Sequence, residues 1–242
     1  MNNISSTDLE LLKNKYQGES LDIALNKIKE GYPVQYLIGN VDFCGNIIEV
    51  NENVLIPRYE TEFLVDLVLK TIPNEFNKKI IDIGTGSGCI AISVAKKLES
   101  SEVDGIDISK EALNVANKNK VLNNVNNLNF INKDIFEIDS FDNYSVIISN
   151  PPYVSKDETV GLETKYEPQN AIFADNNGLK YYEHIIKVVS NSKNIEHVFF
   201  EIGMTQADSI KEFVYKYIPT YKVDVFKDLA NKDRYIHIYM NK

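Results

Sequence analysis

The segment that decides the fold runs from residue 80 to residue 88 and reads Ile-Ile-Asp-Ile-Gly-Thr-Gly-Ser-Gly. An apolar strand leads directly into a glycine-rich turn, and the apolar periodicity of residues 89–98 predicts a helix immediately after it. Glycines let the backbone approach a ligand closely, and the first turn of a helix offers free N–H groups. This order predicts a ligand site at the carboxyl end of a strand, although the same glycines also suit a tight turn that binds nothing.

Strands and helices alternate on the carboxyl side of that segment. Apolar runs predict strands at residues 79–83, 103–107, 128–132, 144–149, 197–202, 221–226 and 234–240. Helical periodicity predicts helices at residues 89–98, 110–122, 179–189 and 206–217. Only residues 227–233 separate the last two strands, which is too short for a helical crossover, so these strands are expected to pair antiparallel. The pattern predicts an α/β fold with a seven-stranded, mostly parallel sheet, helices on both faces and the last strand antiparallel.

The chain before residue 61 has a different pattern. Residues 1–33 predict a short helical N-terminal segment of two amphipathic helices, too small to be stable alone. Residues 34–60 are predicted to form a β-hairpin linker, because short apolar strands surround turn signals at Gly39-Asn40 and Gly45-Asn46. A helix beginning at Glu62 then opens the main domain, residues 61–242. We therefore expect three parts in the chain.

Composition limits the classes of function. The 242 residues are 43% hydrophobic, enough for one sizeable core, and the net charge of −9 disfavours stable binding to DNA or RNA. Cys44 and Cys89 form no CxxC pair, and His184, His197 and His237 are scattered, so no metal site is expected. The first residues have no secretory signal pattern, and no apolar run is long enough to span a membrane. We therefore expect a soluble, cytoplasmic protein.

An acidic residue follows the glycine turn at the spacing of a nucleoside site. Asp107 ends the next predicted strand, 19 residues after Gly88, where a carboxylate can accept hydrogen bonds from both ribose hydroxyls. A dinucleotide fingerprint would need glycine or alanine at Cys89, so the pattern favours S-adenosyl-L-methionine. Residues 134–136, Asp-Ile-Phe, follow the third strand, where a carboxylate can accept the exocyclic amine of adenine and apolar side chains can flank its ring.

Residues 150–153, Asn-Pro-Pro-Tyr, come directly after the fourth predicted strand of the sheet. The two prolines fix their own φ angles and lack N–H donors, so this turn is stiff and rich in acceptors. The side-chain oxygen of Asn150 and the carbonyl of Pro151 can accept both N–H bonds of a planar amide, and Tyr153 can stack on its flat face. The peptide predicts methyl transfer to a planar, conjugated NH2 group; its alternative role is a rigid connector with a buried tyrosine.

The order of these motifs along the chain is similar to that of a known family. Together they resemble the PrmC/HemK family through residues 33–39, 54–62, 84–88, 150–153, 166–168, 177–179, 201–203 and 228–234. Members of that family have the class I S-adenosylmethionine methyltransferase fold and methylate N5 of the glutamine in the Gly-Gly-Gln tripeptide of class I peptide chain release factors. The resemblance covers nearly everything from Tyr32 onward.

The residue patterns and the resemblance imply roles for individual residues. They imply that S-adenosyl-L-methionine contacts Gly84, Thr85, Gly86, Ser87, Gly88, Asp107, Asp134, Ile135, Phe136 and Asn150. They imply that the substrate glutamine contacts Asn150, Pro151, Pro152, Tyr153, Pro57 and Arg58, of which Asn150, Pro151 and Tyr153 are the catalytic residues. Pro57 and Arg58 resemble an element that closes over the cofactor; a surface salt bridge from Arg58 to Glu60 or Glu62 is the alternative.

The sequence departs from the family at three places. The N-terminal segment has fewer helices than the family's, Tyr59 stands where proline is usual, and Ile135 replaces a frequent aromatic, so Phe136 has to supply the face beside adenine.

An N6-adenine DNA methyltransferase uses the same tetrapeptide but needs a basic cleft and a recognition domain. The acidic charge equally disfavours an enzyme acting on guanine in ribosomal RNA. A binding protein that retains only the fold has no need for both Asp107 and an intact tetrapeptide.

Overall fold

The computed structural model describes residues 4–240. Its helices are α1 (Ser6–Lys15), α2 (Glu19–Lys29), α3 (Val34–Ile38), α4 (Tyr59–Thr71), α5 (Cys89–Lys97), α6 (Lys110–Leu122), α7 (Lys180–Ser190) and α8 (Ala207–Tyr217). Its strands are β1 (Asn40–Phe43), β2 (Asn46–Glu49), β3 (Lys79–Ile83), β4 (Glu102–Asp107), β5 (Leu128–Asn132), β6 (Val146–Ser149), β7 (Val154–Ser155), β8 (Phe173–Ala174), β9 (His197–Glu201), β10 (Tyr221–Lys227) and β11 (Asp233–Met240). The ends of the predicted parts 1–33 and 61–242, residues 1–3 and 241–242, lie outside the described residues.

A seven-stranded sheet carries the main domain, in the order β10-β11-β9-β6-β3-β4-β5. Neighbouring strands from β9 to β5 pair parallel, whereas β11 pairs antiparallel with both β9 and β10. This confirms the predicted α/β fold with its antiparallel last strand. The chain moves outward from β3 through β4 to β5 and then returns to the other side of β3 as β6, so a topological switch point lies between β3 and β6.

Apolar side chains alternate between the two faces of the sheet and build a core on each. Ile80 packs with Leu64 of α4 and Ile92 of α5 on one face, and Ile81 packs with α7 and α8 on the other. These side chains are almost fully buried, and each such burial contributes about 1.5–3 kcal/mol. Because both faces are covered, the ends of the strands are where a ligand can reach the sheet.

Residues 34–38 correct the expectation for the linker. They were expected to begin a strand, but they form the short helix α3, and Tyr36 within it donates a hydrogen bond of 2.6 Å to the carbonyl of Val54. The hairpin itself is present as β1 and β2, with a two-residue turn at Cys44-Gly45, one residue earlier than the predicted turn. Asn119 of α6 fixes the hairpin to the main domain by bonding both the N–H and the carbonyl of Glu49.

Candidate functional site

A cavity of about 350 Å³ opens at the carboxyl ends of β3, β4 and β6, beside the switch point of the sheet. This size is in the range of small-molecule sites. Most of the sequence-predicted residues meet here; the lining includes Gly84, Gly86, Asp107, Asp134, Ile135, Phe136, Asn150, Pro151 and Pro152. The lining does not include Thr85, Ser87, Gly88, Tyr153, Pro57 or Arg58.

The glycine turn presents bare backbone to the cavity. Gly84 and Gly86 have φ angles of 73° and 53°, which side-chain-bearing residues rarely adopt. A Cβ atom at Gly84 would meet nothing within 4 Å, and one at Gly86 would meet only the carbonyl of Gly84, at 4.0 Å. Side chains here would therefore fill ligand space instead of clashing with protein, as expected for a loop that a ligand approaches.

The other residues of the turn point away from the cavity. The Thr85 hydroxyl donates a hydrogen bond of 2.6 Å to Asp82, and the carbonyl of Ser87 accepts one from Asn119. Gly88 is the N-cap residue of α5, and a Cβ atom there would meet the ring of Phe130 at 2.7 Å. These three residues contact the protein on the side of the turn away from the cavity. Direct cofactor contact by Thr85, Ser87 and Gly88 therefore stays a prediction.

The Asp107 carboxylate is held rigidly at the end of β4. One oxygen accepts a hydrogen bond of 2.9 Å from the Gly86 N–H, and the other accepts one of 2.9 Å from the Ser109 N–H. Burial raises the pKa of Asp107 above its usual value, while these N–H groups hold it down. Each oxygen has further lone pairs, so the group can accept two hydroxyl donors without losing its anchors.

One apolar wall of the cavity follows β5. Ile135 is buried, and the ring of Phe136 packs against Tyr181 at 5.3 Å and His184 at 4.7 Å between centroids. One Asp134 oxygen accepts a bond from the Phe136 N–H, which leaves the second oxygen for a ligand donor. Tyr181 also lines the cavity, and sequence reasoning missed it because α7 reaches the site only in three dimensions. Phe136 and Tyr181 together offer the aromatic surface expected beside adenine.

The tetrapeptide forms the wall at the switch point. Ser149, the last residue of β6, donates a hydrogen bond of 2.7 Å to the carbonyl of Ile83, so the start of the turn is tied to the glycine loop. Within residues 4–240, no protein group donates a hydrogen bond to the Asn150 side-chain oxygen or to the carbonyl of Pro151. Two acceptors without protein donors therefore lie in adjacent residues that line the cavity.

The tyrosine of the tetrapeptide is fixed from two sides. Its carbonyl accepts a hydrogen bond of 2.9 Å from Gln206, whose other amide atom accepts the Gly203 N–H. Gly178 packs directly onto the same carbonyl, because a Cβ atom there would lie 1.9 Å from the Tyr153 oxygen. The Tyr153 hydroxyl reaches the Glu201 carboxylate at 3.4 Å. The backbone of the turn is thus clamped by two segments far away in sequence.

Sequence reasoning gave no role to a buried polar chain beneath the tetrapeptide. Thr61 donates a hydrogen bond of 2.7 Å to Glu201, and the Asn150 amide nitrogen donates one of 3.2 Å to the Thr61 hydroxyl. Thr61 and Glu201 are 3% and 2% exposed. Burial raises the pKa of Glu201 to about 7, while the Thr61 hydrogen bond and Arg234 oppose that rise. Both residues lie in segments that resemble the family, 54–62 and 201–203, and this resemblance is the sequence signal that could have identified them.

Arg58 has a partner that the sequence did not suggest. It forms an ion pair with Glu167, not with Glu60 or Glu62, and the Glu167 side chain is fully buried. The second Glu167 oxygen accepts the Ile56 N–H at 3.1 Å. Arg58 faces a second, separate pocket beside the N-terminal helices. The alternative of a salt bridge to Glu60 or Glu62 is therefore wrong, and the contacts of Pro57 and Arg58 with cofactor or substrate stay predictions.

The residues present fit S-adenosyl-L-methionine. Open backbone at Gly84 and Gly86 suits a closely approaching ligand, the Asp107 carboxylate suits a diol, and the wall around Ile135 and Phe136 suits a flat base. Among residues 4–240, no group of three His, Cys, Asp or Glu side chains is placed to hold a metal ion. Across the same residues, no helix combines the length and apolar character that crossing a membrane requires.

The fold and the site define a class I methyltransferase. The family model described as Methyltransferase small domain matches residues 61–198. The crystal structure of M. jannaschii TYW2 in complex with AdoMet aligns with a TM-score of 0.54 at 16% identity, covering 82% of this chain and 83% of that chain, a likeness that shows the fold alone. Sequence comparison identifies the family more closely.

Curated relatives are named release factor glutamine methyltransferase. The protein of that name from Flavobacterium psychrophilum is 40% identical over 97% of this chain and 84% of its own length. The one from Fusobacterium nucleatum is 39% identical over 84% of this chain, which spans 59% of that relative's length. The chain belongs to the family of release factor glutamine methyltransferases, which confirms the resemblance found in its motifs.

Proposed function

We propose that this protein transfers a methyl group from S-adenosyl-L-methionine to the side-chain nitrogen, N5, of the glutamine in the Gly-Gly-Gln motif of class I peptide chain release factors. The observation that carries the proposal is the pair of acceptors in the tetrapeptide, the Asn150 side-chain oxygen and the Pro151 carbonyl, neither of which has a protein donor within residues 4–240. Family membership and the cavity beside these acceptors support it.

The chemistry explains why two acceptors are needed. The nitrogen of an amide is a poor nucleophile, because its lone pair is delocalised into the carbonyl. When bound, S-adenosyl-L-methionine supplies an electrophilic methyl group on a sulfonium. Asn150 and Pro151 each accept one N–H of the glutamine NH2 group, which orients the nitrogen and stabilises the positive charge that develops on it. The methyl group's bond to sulfur breaks as its bond to nitrogen forms, and the N–H proton becomes acidic and passes to solvent, so no dedicated base is needed.

The remaining residues hold the two molecules in place. We assign the cofactor to Gly84, Gly86, Asp107 and the wall formed by Ile135 and Phe136. Tyr153 and the two prolines shape the site for the flat amide. Asn150 lies where the two sites meet, which makes it the residue on which transfer depends most.

We also propose a cellular location and a binding partner for this activity. The protein acts in the cytoplasm on a protein partner, and the net charge of −9 argues against stable nucleic-acid binding. The division into a helical segment at 1–33, a linker at 34–60 and a catalytic domain at 61–242 stays a prediction.

A labelling experiment tests the proposal. Label from methyl-labelled S-adenosyl-L-methionine should enter a class I release factor and should be absent when its motif glutamine is replaced with alanine. Double-stranded DNA offered under the same conditions should remain unlabelled. Label on DNA alone would overturn the assignment in favour of an adenine methyltransferase, and cofactor binding without any transfer would indicate a binding protein that retains the fold.

A further inference from the structure

We propose that Thr61 and Glu201 are positioning residues that hold the side-chain amide of Asn150 with its oxygen facing the cavity. This role rests on the proposed function only for its catalytic consequence. The orientation itself follows from hydrogen bonds within the protein. The two residues lie 140 positions apart in sequence, and α4 and the end of β9 bring them together beneath the tetrapeptide.

The direction of each hydrogen bond determines the orientation. An ionised carboxylate can only accept, so the single Thr61 hydroxyl hydrogen is committed to Glu201, at 2.7 Å. The Thr61 oxygen is then available only as an acceptor. The part of the Asn150 amide that faces it, at 3.2 Å, must be the NH2 group. The Asn150 oxygen is thereby directed to the other side, where a substrate amide can donate to it.

These hydrogen bonds from Asn150 through Thr61 to Glu201 distinguish the two possible orientations of the Asn150 amide, which are nearly identical in shape. If the Asn150 NH2 group faced the cavity, it would meet the NH2 group of the substrate, donor against donor. One buried carboxylate prevents this through a single hydroxyl group. Glu201 also accepts from the Tyr153 hydroxyl at 3.4 Å, so it fixes the side chains at both ends of the tetrapeptide.

Protonation of Glu201 would reverse the direction of the hydrogen bonds that link Glu201, Thr61 and Asn150. A neutral carboxyl can donate to Thr61, and Thr61 can then donate to the Asn150 oxygen, which turns that oxygen away from the substrate. Burial raises the pKa of Glu201 to about 7, so this reversal falls close to neutral pH. The charged and titratable groups around Glu201 are Arg234, which favours its ionised form, Glu60, which opposes it, and Tyr153, Tyr182 and Tyr235, whose pKa values burial raises, so they stay neutral.

Two substitutions at Thr61 separate positioning from packing. Thr61→Val keeps the shape but removes the acceptor, and it should lower kcat for release-factor methylation about 100-fold. The dissociation constant of S-adenosyl-L-methionine should not change. Thr61→Ser retains the hydroxyl and should restore most of the lost activity. Thr71→Val is the matched control, because Thr71 lies on the same helix but donates only to the Leu67 carbonyl; its kcat should equal that of the wild type.

The pH profile provides a second readout. In the wild type, kcat should fall tenfold per pH unit below about 7, as one proton binds to Glu201. Glu201→Gln cannot titrate and should abolish this acid limb, leaving a pH-independent rate. A wild-type acid limb that persists in Glu201→Gln would overturn the assignment of Glu201.

An NMR measurement tests the orientation without any substrate. The side-chain NH2 signals of Asn150 are identified as the pair missing from the spectrum of Asn150→Ala. This pair should be protected from solvent exchange in the wild type and Thr61→Ser, and should shift and lose protection in Thr61→Val. An unchanged pair in Thr61→Val, or an unchanged kcat, would refute the positioning role. If the pair responds but the wild type methylates no release factor, the positioning role stands and the proposed substrate fails.

Discussion

Replacing Gly178 with alanine should damage the site from outside the cavity. Gly178 has a φ angle of 79°, and its missing Cβ atom leaves the space that the Tyr153 carbonyl and the Gln206 amide occupy. An added Cβ atom would lie 1.9 Å from the Tyr153 oxygen and 2.5 Å from the Gln206 nitrogen. The first distance is about 1.5 Å short of van der Waals contact, so the tetrapeptide backbone has to move.

The magnitude follows from two costs. A left-handed backbone costs a residue other than glycine about 1–2 kcal/mol. Loss of the hydrogen bond from Gln206 to Tyr153, with its partners left buried, costs about 1–3 kcal/mol more. The free energy of unfolding should therefore fall by about 2–5 kcal/mol in total. A shift of about 1 Å in the tetrapeptide should also lower kcat about 100-fold.

Gly45→Ala is the control for backbone strain alone. Gly45 has a φ angle of 72°, and a Cβ atom there would meet nothing within 4 Å. Urea unfolding should show a loss of about 1–2 kcal/mol for this variant, with kcat unchanged. If Gly178→Ala loses no more stability than Gly45→Ala and retains its kcat, the idea that Gly178 clamps the tetrapeptide is wrong.

Other outcomes follow from the contacts of the site. Asp107→Asn should raise the dissociation constant of S-adenosyl-L-methionine about 10–100-fold by calorimetry, because an amide is a weaker acceptor for a diol; unchanged affinity would contradict its role. Asn150→Ala should lower kcat about 100–1,000-fold while cofactor affinity persists, and undiminished turnover in a folded enzyme would refute the central proposal. Arg58→Met should lower the free energy of unfolding, measured in urea, by about 2 kcal/mol, because it leaves the buried Glu167 carboxylate with one fewer donor. Adding Glu167→Gln to Arg58→Met should recover part of that loss. If the effects of the two substitutions simply add, the two residues are not coupled. Burial raises the pKa of Asp82 from 3.8 to about 7, so between these values the folded state binds a proton that the unfolded state has released. Asp82 should therefore lower the free energy of unfolding by about 1.4 kcal/mol per pH unit as pH rises from 4 to 7, and Asp82→Asn should reduce the measured slope by about that amount.

The sheet could be predicted from the sequence because its strands and helices have strong, regular patterns. Residues 79–83, 110–122 and 128–132 have the predicted bounds in the structure. Residues 34–38 were assigned wrongly because Val, Tyr and Ile favour strands by local preference. The hydrogen bond from Tyr36 to the Val54 carbonyl supports a helix there instead, and this contact cannot be read from the local pattern. The turn signal at Gly39 marks the end of that helix.

The cavity walls could be predicted where they follow a strand directly. Asp107 and Asn150 come at or just after strand ends, so their place at one edge of the sheet follows from parallel topology. Contacts between distant segments could not be predicted. Thr61 meets Glu201 across 140 positions, and Arg58 meets Glu167 across 109. Nor does spacing reveal that Thr85 turns its hydroxyl to Asp82, since that depends on how the loop folds.

A turn that offers only acceptors also decides which look-alike molecules the site refuses. Glutamate has nearly the shape of glutamine, but its carboxylate has no hydrogen to offer the Asn150 oxygen or the Pro151 carbonyl, so oxygen would face oxygen. Such a mismatch between buried polar groups can reject an analogue by about 10⁴-fold. The acceptor pair should therefore not hold the motif of a release factor whose glutamine has deamidated.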